Sequence, residues 1–415
     1  MKKLKFHFSV IAVVSLTIIS CAFRDNADAQ DEKLPITQLR ANQEAAVSDA
    51  DIKQLQDKLL QKGIYFGTAL TPADIESRPP RPANFPELVS KYFNFYTITV
   101  TYNLTESRAR GQFTLTDGDR CVDFALAHHA KIKMHVLVLG DPIPDWLKNG
   151  NYNPEQLKDI LKTHVQTIIR HFKTKYPKVK FIYNVVNEPT CNGGKVTDPL
   201  KCLDYGVEKN IWTVIHKPDS TDPTDYIQLA FEWAREADPT AKLYLNEAGG
   251  ELDTHPKTER VYQLVKYLKE KGTPIDGIGL QGHVRLYDKT KYSQEGLTRL
   301  LNRYADLGLE TQISEFDVVM ASGNKRIDTN TPTVQLAMAG PRREDFMQQA
   351  ELYRIFLAAC LHAKNCTGFT TWGLWDGSSW TTRHWSGAFY PHLLDDNLKP
   401  KLSFKALVDE ASSQQ

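Results

Sequence analysis

Two glutamates, Glu188 and Glu315, stand at the ends of two short apolar runs that lie far apart in the chain. The first run, Phe181-Ile182-Tyr183-Asn184-Val185-Val186, is aromatic and β-branched and breaks off at Asn187, Glu188 and Pro189. Without regular polar alternation it reads as a strand buried on both faces. The second run, Glu310-Thr311-Gln312-Ile313, leads through Ser314 to Glu315, Phe316 and Asp317. Residues at the carboxyl ends of barrel strands open onto the active-site face. Two carboxylates placed that way are the equipment of glycoside hydrolysis, where one protonates the leaving oxygen and the other attacks or activates water. Taken singly, a glutamate at a strand end is more often a solvated loop residue or a helix cap, so the surroundings must carry the weight.

Those surroundings alternate in period. Strand-like segments occupy residues 64–70, 95–101, 132–139, 181–186, 242–245, 275–280, 310–313 and 368–372. Helix-length periodic segments lie between most of them, among them 154–173, 226–237, 258–271, 293–307 and 343–362. This alternation predicts an α/β fold, a (β/α)8 TIM barrel in one catalytic domain over residues 51–413. A doubly wound open sheet would alternate in the same way, but no Gly-x-Gly-x-x-Gly follows the first strand. Two connections are enlarged, 190–224 and 321–342. Each follows one of the glutamate strands, so both are expected over the active-site face.

Composition narrows the partners. The 415 residues carry a formal net charge of +1, which gives no reason to expect nucleic acid or an acidic surface. The N-terminus reads as a targeting segment: Lys2, Lys3 and Lys5 precede an apolar stretch too short to span a bilayer comfortably. It ends in Ile18-Ile19-Ser20-Cys21, which resembles a bacterial lipoprotein cleavage box with Cys21 as the lipidated residue; an ordinary secretory cut nearer Ala27 or Ala29 is the alternative. Either way the chain is expected to be exported, to the cell envelope or beyond, touching membrane only through such an anchor. Residues 22–50 read as a polar linker. Of six cysteines, five remain after Cys21: Cys121, Cys191, Cys202, Cys360 and Cys366. Export permits disulfides, and an odd count leaves one thiol over. Sequence proximity suggests Cys191 with Cys202 and Cys360 with Cys366, although spacing does not settle connectivity. Cys121 lies in a helix-like run and is expected buried and free. No spacing suits a metal site.

The chain is similar, from Leu59 to Leu407, to the glycoside hydrolases of family 10, typified by endo-β-1,4-xylanases. The family's Trp-Asp-Val-Val-Asn-Glu stands here as Tyr183-Asn184-Val185-Val186-Asn187-Glu188, and its Ile-Thr-Glu-Leu-Asp as Ile313-Ser314-Glu315-Phe316-Asp317. Gly277-Ile278-Gly279-Leu280-Gln281-Gly282-His283 follows the sixth-strand motif, and Leu243-Tyr244-Leu245-Asn246-Glu247 resembles the fifth. Trp372-Gly373 through Asp376 to Ser379-Trp380 resembles the eighth-strand segment, and the closing segment around Pro400-Lys401 also matches. The spacing of Cys360 and Cys366 resembles a bridge common in the family.

The resemblance implies roles. Glu315 would be the nucleophile and Glu188 the acid/base of a retaining mechanism, their carboxyls about 5–5.5 Å apart. Closeness to ionised Glu315 would keep Glu188 protonated near neutral pH. Asn187 would bond the sugar 2-hydroxyl. Asp317 would orient His283, His283 would hold Glu315, and Gln281 would help position it. Trp372, Trp380, Asn246 and Trp146 would meet the substrate. The substrate would be a β-linked polysaccharide or glycoside, with no cofactor and no metal, and the chain would act as a monomer.

The likeness breaks on the second and third strands. Where the family has Glu-Asn-Glu-Met-Lys-Trp, this chain has Thr99-Val100-Thr101-Tyr102-Asn103-Leu104; where it has Trp-His, this chain has Leu139-Gly140. Sites built to bond hydroxyls discriminate strongly. Besides the family's xylanase activity, two alternatives therefore stand: the same chemistry on another β-linked glycan or glycoconjugate, and a surface lipoprotein that binds carbohydrate or a partner with weak or lost catalysis.

Overall fold

The computed structural model describes residues 44–191, 210–320, 341–381 and 389–414. The segments carrying Cys21 and Cys202, residues 22–43 of the linker and most of the two enlarged connections lie outside the described residues.

Eight parallel strands close into a barrel: β1 (Tyr65–Leu70), β2 (Phe95–Thr99), β3 (Lys131–Val138), β4 (Ile182–Asn187), β5 (Lys242–Glu247), β6 (Gly277–Leu280), β8 (Glu310–Val319) and β9 (Cys366–Thr371). Each pairs with the next, β6 pairs directly with β8, and β9 returns to β1, so no barrel edge is left open. A three-residue strand that the sequence reading missed, β7 (His283–Arg285), lies along the second half of β8. Its brevity hides it, since three residues show no periodicity.

Helices α1 (Asp49–Gln61), α2 (Phe85–Tyr92), α3 (Thr116–Ala127), α4 (Pro154–Lys175), α5 (Asp225–Ala237), α6 (Pro256–Glu270), α7 (Gln294–Ala305), α8 (Arg343–His362) and α9 (Leu402–Ser413) surround the barrel. Ser48 caps helix α1: its hydroxyl accepts from Asp51 N, while the Asp51 carboxylate accepts from Ser48 N, so the helix begins inside the segment read as linker. Helix α9 packs on α8 and α1, joining the two ends of the described chain. The core between sheet and helices is continuous, and β4 is buried along its whole length, as expected of a strand covered on both faces.

Candidate active site

Glu188 leaves the end of β4 with the ladder still running: its N–H donates to the Asn246 carbonyl at 2.8 Å. Its φ is +51°, in the left-handed region that non-glycine residues occupy only when their surroundings hold them there. Gln281, just past β6, donates from Nε2 to Glu188 Oε1 at 2.6 Å and reaches Asn187 Oδ1 at 3.2 Å.

Glu315 is placed differently from the sequence expectation. Strand β8 does not end there but runs on to Val319, and the register against β9 shifts between Ile313 and Phe316. Before the shift β8 pairs with β6; beyond it β8 pairs with β7. Such irregularities re-aim side chains, and Glu315 sits within this one. Its Oε1 accepts from Asn246 Nδ2 at 2.7 Å, and the same nitrogen donates to Asn187 Oδ1 at 2.7 Å. Ser314 Oγ donates to Asn246 Oδ1 and so fixes the amide's orientation. Gly279 makes room for this contact, because a Cβ there would lie 2.3 Å from Asn246 Oδ1.

On the other side of Glu315, His283 Nε2 lies 3.3 Å from Oε2 and its Nδ1 lies 3.1 Å from Asp317 Oδ1, an ion-pair contact rather than a well-aligned hydrogen bond. Asp317 accepts from Trp380 Nε1 at 2.6 Å. His135 on β3, held by Asn184 at 2.9 Å, approaches Glu315 Oε1 to 3.7 Å. Trp372 meets His135 edge-on and lies against His283, and the Trp380 ring lies 4.9 Å from that of His283.

The two carboxyls are driven in opposite directions. The Glu188 side chain reaches partly into the open cleft, yet crowding by protein is the first cause that raises it, to about 7; the Glu247 charge comes next and Glu315 contributes less. The sequence reading named Glu315 as the cause, whereas burial and Glu247 outweigh it. Glu247 is fully buried at the end of β5, bonded by Thr190 N and Oγ1 and paired with Lys257 at 3.0 Å. Burial pushes Glu315 up too, but His135 and His283 oppose it and the net result lies below the ordinary carboxylate value. His283 is raised well above the usual histidine range: burial lowers it, and Asp317 and Glu315 outweigh that.

Glu188, Asn187, Gln281, Asn246, Glu315, His283, Asp317, Trp372 and Trp380 therefore form one connected cluster. Trp146 stands apart: its indole donates to the Glu106 carbonyl at 2.7 Å and packs edge-on against Tyr152. His135 and Glu247 are the members that sequence roles missed. Glu247 follows Asn246 directly in the fifth-strand motif, so the signal was present, but burial beside Glu188 is not readable from one strand.

The rewritten segment runs past the end of β2 at Thr99 into a short helix over Tyr102–Thr105, and two of its residues turn inward while Thr99, Thr101 and Asn103 stay half-buried. Val100 is buried, Tyr102 stacks on His164 of α4 with ring centroids 3.3 Å apart, and only Leu104 is exposed. At the third strand, Trp212 donates to the Leu139 carbonyl at 2.9 Å, and the Asn210 side chain lies 3.5 Å from where a Gly140 Cβ would stand. The connection after β4 thus occupies space beside Leu139 and Gly140. Cys360 and Cys366 are joined by a disulfide, Cys191 is disulfide-bonded, and Cys121 is free and buried.

Comparison with known proteins gives consistent matches. The pattern of glycosyl hydrolase family 10 matches residues 54–410. Endo-1,4-beta-xylanase A of Thermoanaerobacterium saccharolyticum is 30% identical over 364 residues, covering 84% of this chain and 27% of the relative. Endo-1,4-beta-xylanase 1 of Humicola insolens is 27% identical, covering 85% and 73%. The chain thus spans under a third of the length of the first of these. Among solved structures, xylanase 10B of Thermotoga petrophila in complex with xylobiose superposes with a TM-score of 0.71 at 26% identity, covering 89% of this chain and 98% of that one. The family 10 structure from Paenibacillus barcinonensis gives 0.69 at 30% identity, covering 87% and 97%.

Proposed function

The chain belongs to glycosyl hydrolase family 10, and on that premise we propose that it is an exported, retaining β-glycoside hydrolase of endo-1,4-β-xylanase type. The observation that supports the acid and nucleophile roles is the opposed tuning of two carboxyls linked through Gln281, Asn187 and Asn246, Glu188 raised to about 7 and Glu315 held below its ordinary value, while retention rests on the family resemblance. Glu188 then carries the proton that a leaving oxygen needs, while Glu315 is an anion ready to attack.

In the first step a Glu315 oxygen forms a bond to the anomeric carbon as the glycosidic bond breaks, and the leaving oxygen takes the Glu188 proton. In the second, Glu188, now a carboxylate, takes a proton from water; the water oxygen attacks the anomeric carbon and the Glu315 ester bond breaks. His283, raised by Asp317 and Glu315, stabilises the Glu315 anion at the start and again on its release. Asn187, its oxygen already engaged by Asn246 and Gln281, is suited to offer its nitrogen to the sugar 2-hydroxyl. Proton NMR of the first product tests this: the β-anomer should form first, and initial formation of the α-anomer would refute retention.

Xylan is the default substrate because the relatives above are named for it. The same chemistry on a different β-linked glycan is favoured by one observation, the turning of Val100 and Tyr102 into the core where xylanases present polar groups. Export, by a signal segment ending at Cys21 or cut nearer Ala29, rests on the N-terminal sequence; no described helix is long and apolar enough to cross a membrane. The catalytic domain is taken as residues 51–413, acting as a monomer.

A further inference from the structure

A cavity of about 200 Å³ opens beside the carboxylate cluster, at the carboxyl ends of β1, β2 and β9. Its walls include Thr68, Asp74, Arg81, Trp372, Trp375 and Trp380. It is smaller than the roughly 300–1,000 Å³ of sites for drug-sized ligands, so it suits one ring rather than a chain. Trp372 and Trp380, which face it, are the residues that touch His283 beside Glu315. A ring here would therefore lie on the side of the sugar that Glu315 takes.

The unusual member is Arg81, from the segment between β1 and α2. Its side chain is only 9% exposed. Nε donates to Asp74 Oδ1 at 2.6 Å, and the guanidinium lies 5.9 Å from the Phe85 ring centroid. The outer nitrogens take no hydrogen bond among the described residues. Asp74 is saturated from behind: its Oδ2 accepts from Thr71 N at 2.7 Å and Thr71 Oγ1 at 2.6 Å. It orients the guanidinium and leaves the outer fork to the cavity. Thr68 and Trp375 also line the cavity, although Thr68 Oγ1 and Trp375 Nε1 themselves are covered and have no partner among the described residues. A nearly buried guanidinium fork with unused donors matches the two oxygens of a carboxylate, which it binds through parallel charge-assisted hydrogen bonds.

We infer that this cavity receives a sugar ring bearing a carboxylate, a hexuronic acid, and that Arg81, positioned by Asp74, is the residue that selects it. This rests on the reading of the neighbouring cluster as a glycoside hydrolase site, and it supplies a glycone-side charged contact where the segment after β2 lacks the family's Glu, Lys and Trp.

The test separates binding from turnover by using the Glu315→Gln variant, which binds whether or not the catalytic assignment holds. The probes are a xylo-oligosaccharide substituted with glucuronic acid and the same oligosaccharide after reduction of its carboxyl to the alcohol, titrated by calorimetry. The acidic probe should bind about tenfold to a hundredfold more tightly, the range expected for charged hydrogen bonds. Adding Arg81→Lys, which keeps the charge but not the fork, should bring that ratio close to one, with thermal unfolding as the check on folding. Equal binding of the two probes by Glu315→Gln alone, or an unchanged ratio in a folded Arg81→Lys protein, would overturn the inference. Failure of the unsubstituted enzyme to cleave any β-glycoside, with the binding ratio in Glu315→Gln intact, would instead count against the catalytic reading alone.

Discussion

Asn246 donates to the Glu315 carboxylate at 2.7 Å through the nitrogen that also reaches Asn187, so the residue before Glu188 and the second glutamate share one donor. The two strand ends are thereby joined across the barrel mouth by β5. Asn246→Ala should leave Glu315 one donor short and Asn187 free to turn. We expect kcat to fall by roughly tenfold to a hundredfold, the range for one or two charged hydrogen bonds, with KM changing less. Steady-state kinetics on an aryl β-xyloside or xylobioside checks this, and an unchanged kcat would contradict it.

The pH profile follows from the tuning. Glu188 must be protonated to act as acid, so activity present below about 7 should be lost as pH rises through that value. Glu315 must be ionised, so the acid limb should lie below the ordinary glutamate range. Because the Glu247 charge helps raise Glu188, replacing the Glu247–Lys257 pair as Glu247→Gln with Lys257→Met should move the alkaline limb of kcat/KM to lower pH. A limb that stays in place would remove Glu247 from this role.

Glu188→Ala should reduce cleavage of natural glycans by about 10²–10⁴-fold while sparing aryl glycosides with good leaving groups, which need little protonation. Equal losses on both substrates would remove Glu188 from the acid role.

Neutral, unsubstituted xylan should be a poor substrate. Replacement of the family's polar residues around Thr99 to Leu104 and at Leu139-Gly140 should remove three or four hydrogen bonds of roughly 0.5–1.5 kcal/mol each, more if charged. Their loss corresponds to on the order of a thousandfold in kcat/KM. Turnover of such xylan at rates ordinary for the family would show that other segments rebuild the contacts.

Lys401 donates at 2.8 Å to both Asp376 Oδ2 and the Tyr390 carbonyl, with the Lys401 and Asp376 side chains almost wholly excluded from solvent. Lys401→Met strands a buried carboxylate and should cost roughly 3–5 kcal/mol in urea unfolding, much of it recovered by adding Asp376→Leu. A loss below about 1 kcal/mol would mean the pair is not held as described.

Much of the site was legible because its residues sit in contiguous strand-end motifs. Asn187-Glu188 announces itself by a buried run that stops at polar groups, Gln281 to His283 by its likeness to the family motif alone, and Glu315 to Asp317 by a run that reads as ending there although β8 continues to Val319. What sequence could not supply came from pairing across the barrel. The continuation of β8 past Glu315 depends on β7, a partner too short to signal itself. The rise of Glu188 depends first on its burial and then on Glu247, which is adjacent only because β4 and β5 are. Arg81 lies in a Pro-rich connection with no periodicity, and its burial depends on Asp74, Phe85 and the tryptophans around it. The substitutions on the second strand were visible as departures, but not that Tyr102 would stack on His164, because that requires knowing where α4 packs.

The central claim is that Glu315 forms a covalent bond to the sugar while Glu188 handles the proton. The most direct measurement is inactivation with an aryl 2-deoxy-2-fluoro-β-xylobioside, whose fluorine slows breakdown of the glycosyl-enzyme, followed by mass spectrometry of the peptides. The account predicts one added fluoroglycosyl group on the peptide containing Glu315, and none in Glu315→Gln. A label on Glu188 or elsewhere, or turnover of natural substrate with inversion and no labelled protein, would contradict it.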